Sequence, residues 1–387
     1  MNSERPRFSI CIPAYNRARH LPALIESIYA QDCKDFEVVI CEDLSRERPQ
    51  IAAIARDYAA RYPGTLHYYE NEVNLGYDAN IRRLVERSSG EYCFFMGNDD
   101  LMCLGALGTV DEILQRCPDV GVVLRSYSLF DEVPENISEE IRYFAEEREF
   151  AAGPEAIRVC FRRSGVISGY VVHREMAEAA ATSKFDGSLY FQLHLTATVL
   201  ATRKAVFTPV VLVLCRAGEP PDFGSSSSEA GRYVPGCYTP QSRLNMIEGA
   251  LAIVGSLKES TGIDVVDDVK RDYANYFYPY IKDQLGLPFA QFLQLYRSYG
   301  RMGFNRYPLF QFYCIAGYLL GEARCDKITR LLRGILGRSP HLGGIEKLSL
   351  SVRPLPVFGR PALPTPRPGR LKPAISVSSR TIPPLRT

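Results

Sequence analysis

The chain has 387 residues, of which 46% are hydrophobic and 23% charged, with a formal net charge of +2 at pH 7. This composition is typical of a globular protein with a substantial core, and the near-neutral charge gives no reason to expect a nucleic-acid-binding protein. Eleven cysteines are scattered without a C-x-x-C pair, so we expect reduced thiols and neither a zinc site nor a disulfide framework.

Short apolar runs alternate with helical patterns through the first third of the chain. Strands are predicted at Phe8–Ile12, Phe36–Cys41, Leu66–Tyr69, Tyr92–Met96 and Val120–Arg125. Between them, apolar residues at helical spacing predict helices near Leu21–Ile28, after Pro49, after Tyr77 and over Leu104–Gln115. Strands that alternate with helices favour an α/β fold with a mainly parallel sheet flanked by helices.

The rest of the chain predicts three further regions. A mostly helical pattern over about 144–202 contains one predicted strand, Ser164–Val172, and a second strand is predicted at Val206–Leu214. The Gly-, Pro- and Ser-rich stretch Arg216–Gly236 is typical of a mobile loop. We therefore predict an α/β domain over residues 1–240 and a helical accessory region over 241–340. The Pro- and Arg-rich residues 341–387 are predicted to be disordered.

The stretch "CFFMGNDDLM" ends a predicted strand on Asn98, Asp99 and Asp100. Ligands of parallel α/β sheets bind at the carboxyl ends of strands, where Asn16 and Asp43 are also expected. Adjacent carboxylates repel unless a cation or hydrogen-bond donors compensate them, and oxygen ligands suit Mg²⁺ or Mn²⁺. A helix N-cap is the structural alternative, and taken alone the acidic pair favours the cap.

Two blocks of sequence closely resemble family 2 glycosyltransferases with the GT-A fold. The first is "FSICIPAYNRARHLPALIESIYAQDCKDFEVVICEDLS", in which Pro13, Tyr15, Asn16, Gln31 and Glu42–Ser45 stand at the positions of the family pattern. The second, "NLGYDANIRRLVERSSGEYCFFMGNDD", matches the block that ends on the family's D-x-D metal motif. The resemblance covers about residues 7–130.

The resemblance implies a nucleoside-diphosphate sugar donor and a divalent cation, Mg²⁺ or Mn²⁺. It implies that Asp43 accepts hydrogen bonds from the donor's base, and that Asp99 and Asp100 bind the metal. The other implied donor-binding residues are Pro13, Ala14, Tyr15, Asn16, Asn74, Asn80, Asn98 and Arg216. The chain departs from the pattern at Gly97, where the first Asp of D-x-D is expected, and Asn98 could supply a neutral oxygen there.

An inverting transferase needs a catalytic base, and the family motif that supplies it is not found in this sequence. The family places a Glu-Asp pair in the region that corresponds to "SKFDGSLYFQLHLTATVL", and this stretch contains no such pair. Asp186 and His194 are the candidates, with a turn residue and a core histidine as their structural alternatives.

The sequence thus predicts a metal-dependent inverting glycosyltransferase that uses a glycan or lipid-linked acceptor in bacterial surface polysaccharide synthesis. A catalytically degenerate sugar-nucleotide-binding protein is the alternative. A sugar nucleotidyltransferase is disfavoured because "PAYNRARH" lacks the glycines of its phosphate loop. The N-terminus lacks an apolar signal-peptide core, and no apolar run reaches ~18–20 residues, so we expect a cytoplasmic protein. The basic C-terminal region either packs as an accessory domain or contacts the inner face of the membrane.

Overall fold

The computed structural model describes residues 5–336, and ten strands within this range form one sheet. The strands are β1 (Phe8–Ala14), β2 (Phe36–Glu42), β3 (Leu66–Glu70), β4 (Tyr92–Phe95), β5 (Leu101–Met102), β6 (Val120–Phe130), β7 (Ile137–Ile141), β8 (Arg148–Phe150), β9 (Tyr170–His173) and β10 (Lys204–Arg216). The main order is β3-β2-β1-β4-β9-β6-β10-β5, and β7 and β8 pair with β6 and β10.

Helices cover this sheet and form the C-terminal part of the described chain. In the first half they are α1 (Leu21–Tyr29), α2 (Arg48–Arg61), α3 (Tyr77–Arg87), α4 (Ala106–Arg116), α5 (Pro154–Cys160), α6 (Arg174–Ala179) and α7 (Phe191–Leu200). They continue as α8 (Pro240–Thr261), α9 (Val266–Asn275), α10 (Phe289–Arg301), α11 (Pro308–Leu320) and α12 (Glu322–Leu336). None of the helices within 5–336 is both long and apolar enough to cross a membrane.

The parallel half of the sheet confirms the strand–helix alternation predicted for the first third of the chain. Strands β1, β2, β3 and β4 pair in parallel, and every residue of β2 is buried. The last residues of β1 and β2 are in register, Ala14 opposite Glu42. The loops that follow these strands therefore leave the sheet at one edge, which is where ligands bind in such folds.

The other half of the sheet is mixed. Strand β9 lies antiparallel between β4 and β6, whereas β10 runs parallel to β6. The predicted strand Ser164–Val172 was placed too early, because Arg162–Gly165 form a 3₁₀ turn and pairing begins at Tyr170. The short strands β5, β7 and β8 were not predicted.

The C-terminal helices pack onto the sheet domain. The predicted boundary coincides with the start of α8, whose N-cap Thr239 and Ser242 form a capping box. All described residues nevertheless lie in one compact unit. Buried Arg162 and Arg163 both pair with Asp272 of α9, which links the helices to the sheet domain. All eleven cysteines are free thiols. The predicted disordered tail, residues 341–387, lies outside the described residues.

Candidate functional site

A cavity of about 360 Å³ opens at the carboxyl ends of β1, β2, β4 and β10. Nine of the residues predicted to bind donor or metal line it: Pro13, Tyr15, Asp43, Asn74, Asn80, Asn98, Asp99, Asp100 and Arg216. Ala14, the last residue of β1, and Asn16, in the loop after it, do not line the cavity. The topology thus gathers side chains from four separate strand ends into one site.

Asp43 follows β2 and organises the loop before α3. Its Oδ1 accepts hydrogen bonds from Asn71 Nδ2 (2.8 Å) and the Leu75 N–H (2.8 Å), and its Oδ2 accepts one from the Gly76 N–H (2.9 Å). Burial raises the pKa of Asp43, although these three donors oppose the shift. A carboxylate has about four acceptor positions, so Asp43 can accept one further hydrogen bond from the cavity side.

Asn71 connects two of the predicted residues and was missed in the sequence. Its amide donates to both Asp43 Oδ1 and Asn80 Oδ1 (2.9 Å), while Asn80 Nδ2 donates to the Cys41 carbonyl (3.1 Å). Asn80 therefore holds the end of β2 as well as lining the cavity. Asn71 directly follows β3 at the same sheet edge, and that position was a signal that could have identified it.

The two acidic residues after β4 have different surroundings. Asp99 Oδ2 accepts a hydrogen bond from Arg17 Nη1 (2.7 Å). Asp100 Oδ1 accepts from the Arg216 N–H (2.7 Å), and its Oδ2 accepts from the Ser168 hydroxyl. Burial, and then the neighbouring Asp99, raise the pKa of Asp100 to about 7. Asp100 therefore fastens the turn to β10, and Asp99 is the more available carboxylate.

Arg17 reaches the cavity from a strained loop. Asn16 and Arg17 both adopt left-handed backbone conformations, with φ of 53° and 58°, which are uncommon for residues other than glycine. The Asn16 carbonyl accepts a hydrogen bond from Asn98 Nδ2 (2.8 Å). Strain of this kind is concentrated at functional sites, and here it places a guanidinium beside Asp99.

Neighbouring side chains leave little space for a carboxylate at position 97. A Cβ built on Gly97 would lie 2.9 Å from Asp100 Oδ2 and 3.1 Å from Ser168 Oγ. The Gly97 N–H also donates to Ser168 Oγ (2.8 Å). Ser168 and Asp100 thus occupy the space that a side chain at position 97 would need.

The residues present fit a divalent cation only as part of a complex with diphosphate. Within residues 5–336 no group of three or more His, Cys, Asp or Glu side chains is placed to hold a metal. Asp99 Oδ1 has no hydrogen-bond partner in that range, whereas both oxygens of Asp100 are engaged. Mg²⁺ is commonly held by one or two carboxylates together with substrate phosphates, and Asp99 suits that arrangement.

The loop after β10, residues 217–239, covers one side of the cavity. Buried Glu229 accepts hydrogen bonds from the Tyr77 N–H (2.7 Å) and the Gly224 N–H (2.8 Å). The ring of Phe223 packs edge-on against Tyr77, with centroids 5.4 Å apart. The Pro220 carbonyl accepts a hydrogen bond from Arg17 Nη2 (2.7 Å). The loop is therefore fastened to both α3 and the β1 loop, and no sequence signal identified Glu229.

Arg216 lines the cavity, but backbone carbonyls hold part of its guanidinium. Its Nε donates to the Asp99 carbonyl (3.3 Å) and its Nη1 to the Glu132 carbonyl (2.9 Å). The guanidinium also lies 4.6 Å above the Phe130 ring. Together with Arg17, Arg216 supplies positive charge at the side of the cavity where Asp99 and Asp100 lie.

The two candidates for the catalytic base do not line the cavity. Asp186 accepts a bidentate pair of hydrogen bonds from Arg82 (2.6 and 2.9 Å). His194 Nε2 lies 2.8 Å from the Ala180 carbonyl, and burial lowers the pKa of His194. Each side chain therefore has a structural partner outside the cavity.

Comparisons with known proteins find relatives in sequence and in fold. Residues 9–168 match the family model described as Glycosyl transferase family 2. Abequosyltransferase RfbV of Salmonella typhimurium is 30% identical over 112 residues, 29% of this chain and 34% of the relative. Putative glycosyltransferase EpsE of Bacillus subtilis is 30% identical over 132 residues, 34% of this chain and 46% of the relative. The aligned part thus spans between a third and a half of these relatives.

The likeness of fold extends further along the chain. A crystal structure of S. aureus TarS in complex with UDP-GlcNAc superposes with a TM-score of 0.55 at 15% identity, covering 88% of this chain and 100% of that one. At such low identity the match shows the fold alone. Residues 9–168 therefore match the family 2 glycosyltransferase model, and the chain shares the fold of this solved structure.

Proposed function

We propose that this protein transfers a sugar from a nucleoside-diphosphate donor to a hydroxyl of a glycan or lipid-linked acceptor in bacterial surface polysaccharide synthesis. The observation that carries the proposal is the shared cavity of Asp43 and Asp99, which follow β2 and β4. Asp43 keeps one acceptor position for a base N–H, and Asp99 lies beside Arg17 where a diphosphate would bring negative charge. The matched family model and the named relatives support the same chemistry.

We further propose that Asp99, together with the donor's diphosphate, would hold Mg²⁺ or Mn²⁺, which would supply positive charge to the diphosphate leaving group. Asp100 fixes the Gly97–Asp100 turn through Ser168 and the Arg216 N–H, so that Asp99 faces the cavity. Arg17 and Arg216 add fixed positive charge at the same place. Charge placed before the reaction stabilises developing negative charge without a reorganisation cost.

The base that deprotonates the acceptor is a separate part of the proposal. Among the described lining carboxylates, Glu229 is bonded to two backbone N–H groups and Glu219 to Arg19 and His20. Asp222 makes only a 3.7 Å contact with Arg17 and is 36% exposed. We therefore add Asp222 to Asp186 as a candidate base for an inverting reaction. A positioned base contributes about 10²–10⁴-fold in rate.

The proposal is tested first with the purified protein and a panel of nucleoside diphosphates, with and without Mn²⁺, in a thermal-shift assay. Ligands that bind only the folded state raise its apparent stability. Hydrolysis of the matching sugar nucleotide should require Mn²⁺ and should be lost in D99N, but not in D57N, a control at a carboxylate that is 58% exposed. Unchanged turnover in D99N would exclude the role given to Asp99.

A different observation favours the alternative, a catalytically degenerate sugar-nucleotide-binding protein. The sequence has no Glu-Asp pair in the region where the family places its base. It predicts nucleotide binding without hydrolysis or transfer to any acceptor. D222N and D186N separate the possible bases. The variant that lacks the residue acting as the base should keep wild-type nucleotide affinity, while its transfer rate falls by two or more orders of magnitude.

A further inference from the structure

Exposed apolar side chains are concentrated at the C-terminal end of the described chain. Within that range, fifteen large hydrophobic residues are exposed, and seven of them lie on α11 and α12. They are Phe312 (57% exposed), Ile315 (57%), Leu319 (74%), Leu320 (40%), Ile328 (47%), Leu331 (63%) and Ile335 (71%). Contiguous exposed apolar surface on a soluble domain usually marks an interaction site.

The spacing puts these residues on one stripe of each helix. Phe312, Ile315 and Leu319 follow an i, i+3, i+7 pattern, as do Ile328, Leu331 and Ile335, so each trio shares one helical face. The opposite face of α11 buries Phe310 and Cys314 in the core. We call the six residues of the two trios the apolar stripe.

The inner face of α12 is fixed by polar contacts. Tyr278 donates a hydrogen bond to Asp326 Oδ1 (2.6 Å), and Lys282 Nζ lies 3.4 Å from Asp326 Oδ2. The helix is thus held against the 3₁₀ turns after α9 with Ile328, Leu331 and Ile335 facing solvent. The exposure of these three side chains of α12 follows from this attachment.

Positive charge borders the stripe on α12. Exposed Arg324 lies one turn before Ile328, and exposed Lys327 lies one turn before Leu331, so each cation is next to an apolar side chain. In sequence, residues 327–387 contain twelve Lys or Arg and a single acid, Glu346. An apolar stripe beside a row of cations is the pattern of a helix that lies in a membrane interface.

We infer that the apolar stripe docks this protein on an anionic lipid surface. A second copy of the chain would bring the same cations together, so like charges oppose self-association through this face. Anionic lipid headgroups complement them, and each Lys or Arg near such a surface strengthens binding about fivefold. No residue of the apolar stripe lines the cavity. Docking through the stripe would place the protein where a lipid-linked acceptor would be found.

Flotation with vesicles tests the inference on the full chain. Phosphatidylcholine vesicles with phosphatidylglycerol should bind the protein, and pure phosphatidylcholine vesicles should bind it at least tenfold more weakly. L319S/L331S/I335S should lose at least tenfold of the binding, and R324E/K327E should lose more than twentyfold, since each reversal removes a cation and adds an anion. L104S, a control at a residue 57% exposed near α4, should bind like the wild type.

Three outcomes would overturn the inference: no binding to anionic vesicles, equal binding to both lipid compositions, or a wild-type dimer that L319S/L331S/I335S converts to a monomer. Because the substituted side chains are 63–74% exposed, the thermal unfolding of that variant should match the wild type. R324E/K327E keeps the stripe intact and tests the charge requirement independently.

Discussion

Replacing Gly97 by alanine tests whether the turn after β4 has space for a side chain. The new methyl would lie 2.9 Å from Asp100 Oδ2 and 3.1 Å from Ser168 Oγ, the two atoms whose contact closes the turn. Loss of a buried hydrogen bond costs about 1–3 kcal/mol, and overpacking adds about 1–3 kcal/mol. We expect G97A to lower the free energy of unfolding by about 2–6 kcal/mol.

Gly97→Asp extends the test to the missing metal-motif carboxylate. Motif reasoning alone predicts that this change strengthens Mn²⁺ binding. The structure predicts the opposite, because a third carboxylate would be added beside Asp99 and Asp100 while the Ser168 contact is lost. Like charges in one site destabilise each other, so G97D should be less stable than G97A. Because the side chain would also displace the turn that carries Asp99, G97D should bind Mn²⁺ with nucleoside diphosphate no more tightly than the wild type.

Urea unfolding followed by circular dichroism gives the stabilities, and titration calorimetry gives the Mn²⁺ affinity. Gly108→Ala is the matched control, since Gly108 lies in α4 and its added Cβ would meet no atom within 4 Å beyond its chain neighbours and the backbone of its own helix. That change should raise the free energy of unfolding by about 0.5–1 kcal/mol. A G97A protein within about 0.5 kcal/mol of the wild type, or a stable G97D with tighter Mn²⁺ binding, would refute the steric reasoning.

E229A should free the loop 217–239, so that nucleotide binding weakens and limited proteolysis there accelerates; unchanged cleavage would show that Glu229 does not fasten it. R82M should unfold about 1–3 kcal/mol more easily, because Asp186 loses its partner, while transfer per folded molecule stays near wild type. A loss of transfer larger than tenfold in R82M would instead favour Asp186 as the base. Burial raises the pKa of Asp78 from 3.8 to about 7, so the folded state keeps a proton that the unfolded chain releases between these values. Wild-type stability should therefore fall from about pH 4 to 7 by up to about 1.4 kcal/mol per pH unit through this group, and urea unfolding of D78N across that range should show a shallower fall.

The parallel half of the fold was predictable because its signals are local. Each of β1, β2, β3 and β4 is a short apolar run, and each following helix has apolar residues at regular spacing. The mixed half depends on a long-range pairing that no local pattern encodes: β9 is only Tyr170–His173 and enters between two strands that precede it in the chain. The hydrophobic run predicted that a strand is present there, but it predicted neither the partner strands nor the direction of pairing.

The site was predictable to the extent that strand ends converge. Asp43 directly follows β2 and Asp99 lies in the turn after β4. Nine predicted residues line one cavity. Glu229 was missed because it reaches the cavity from a loop more than 200 residues after β1, through backbone N–H groups that any residue could offer. The bond between Asp186 and Arg82 was equally invisible, since it joins residues 104 apart in the chain.

The position of β9 limits how the protein can be shortened for experiments. The match to the family model ends at residue 168, just before β9 fills the gap between β4 and β6. A fragment cut there would leave two open strand edges in the middle of the sheet, and such edges pair with other chains. An expression fragment designed from the family boundary should therefore aggregate, whereas one that continues through β10 and α9 keeps both edges covered and the buried charge of Arg162 neutralised.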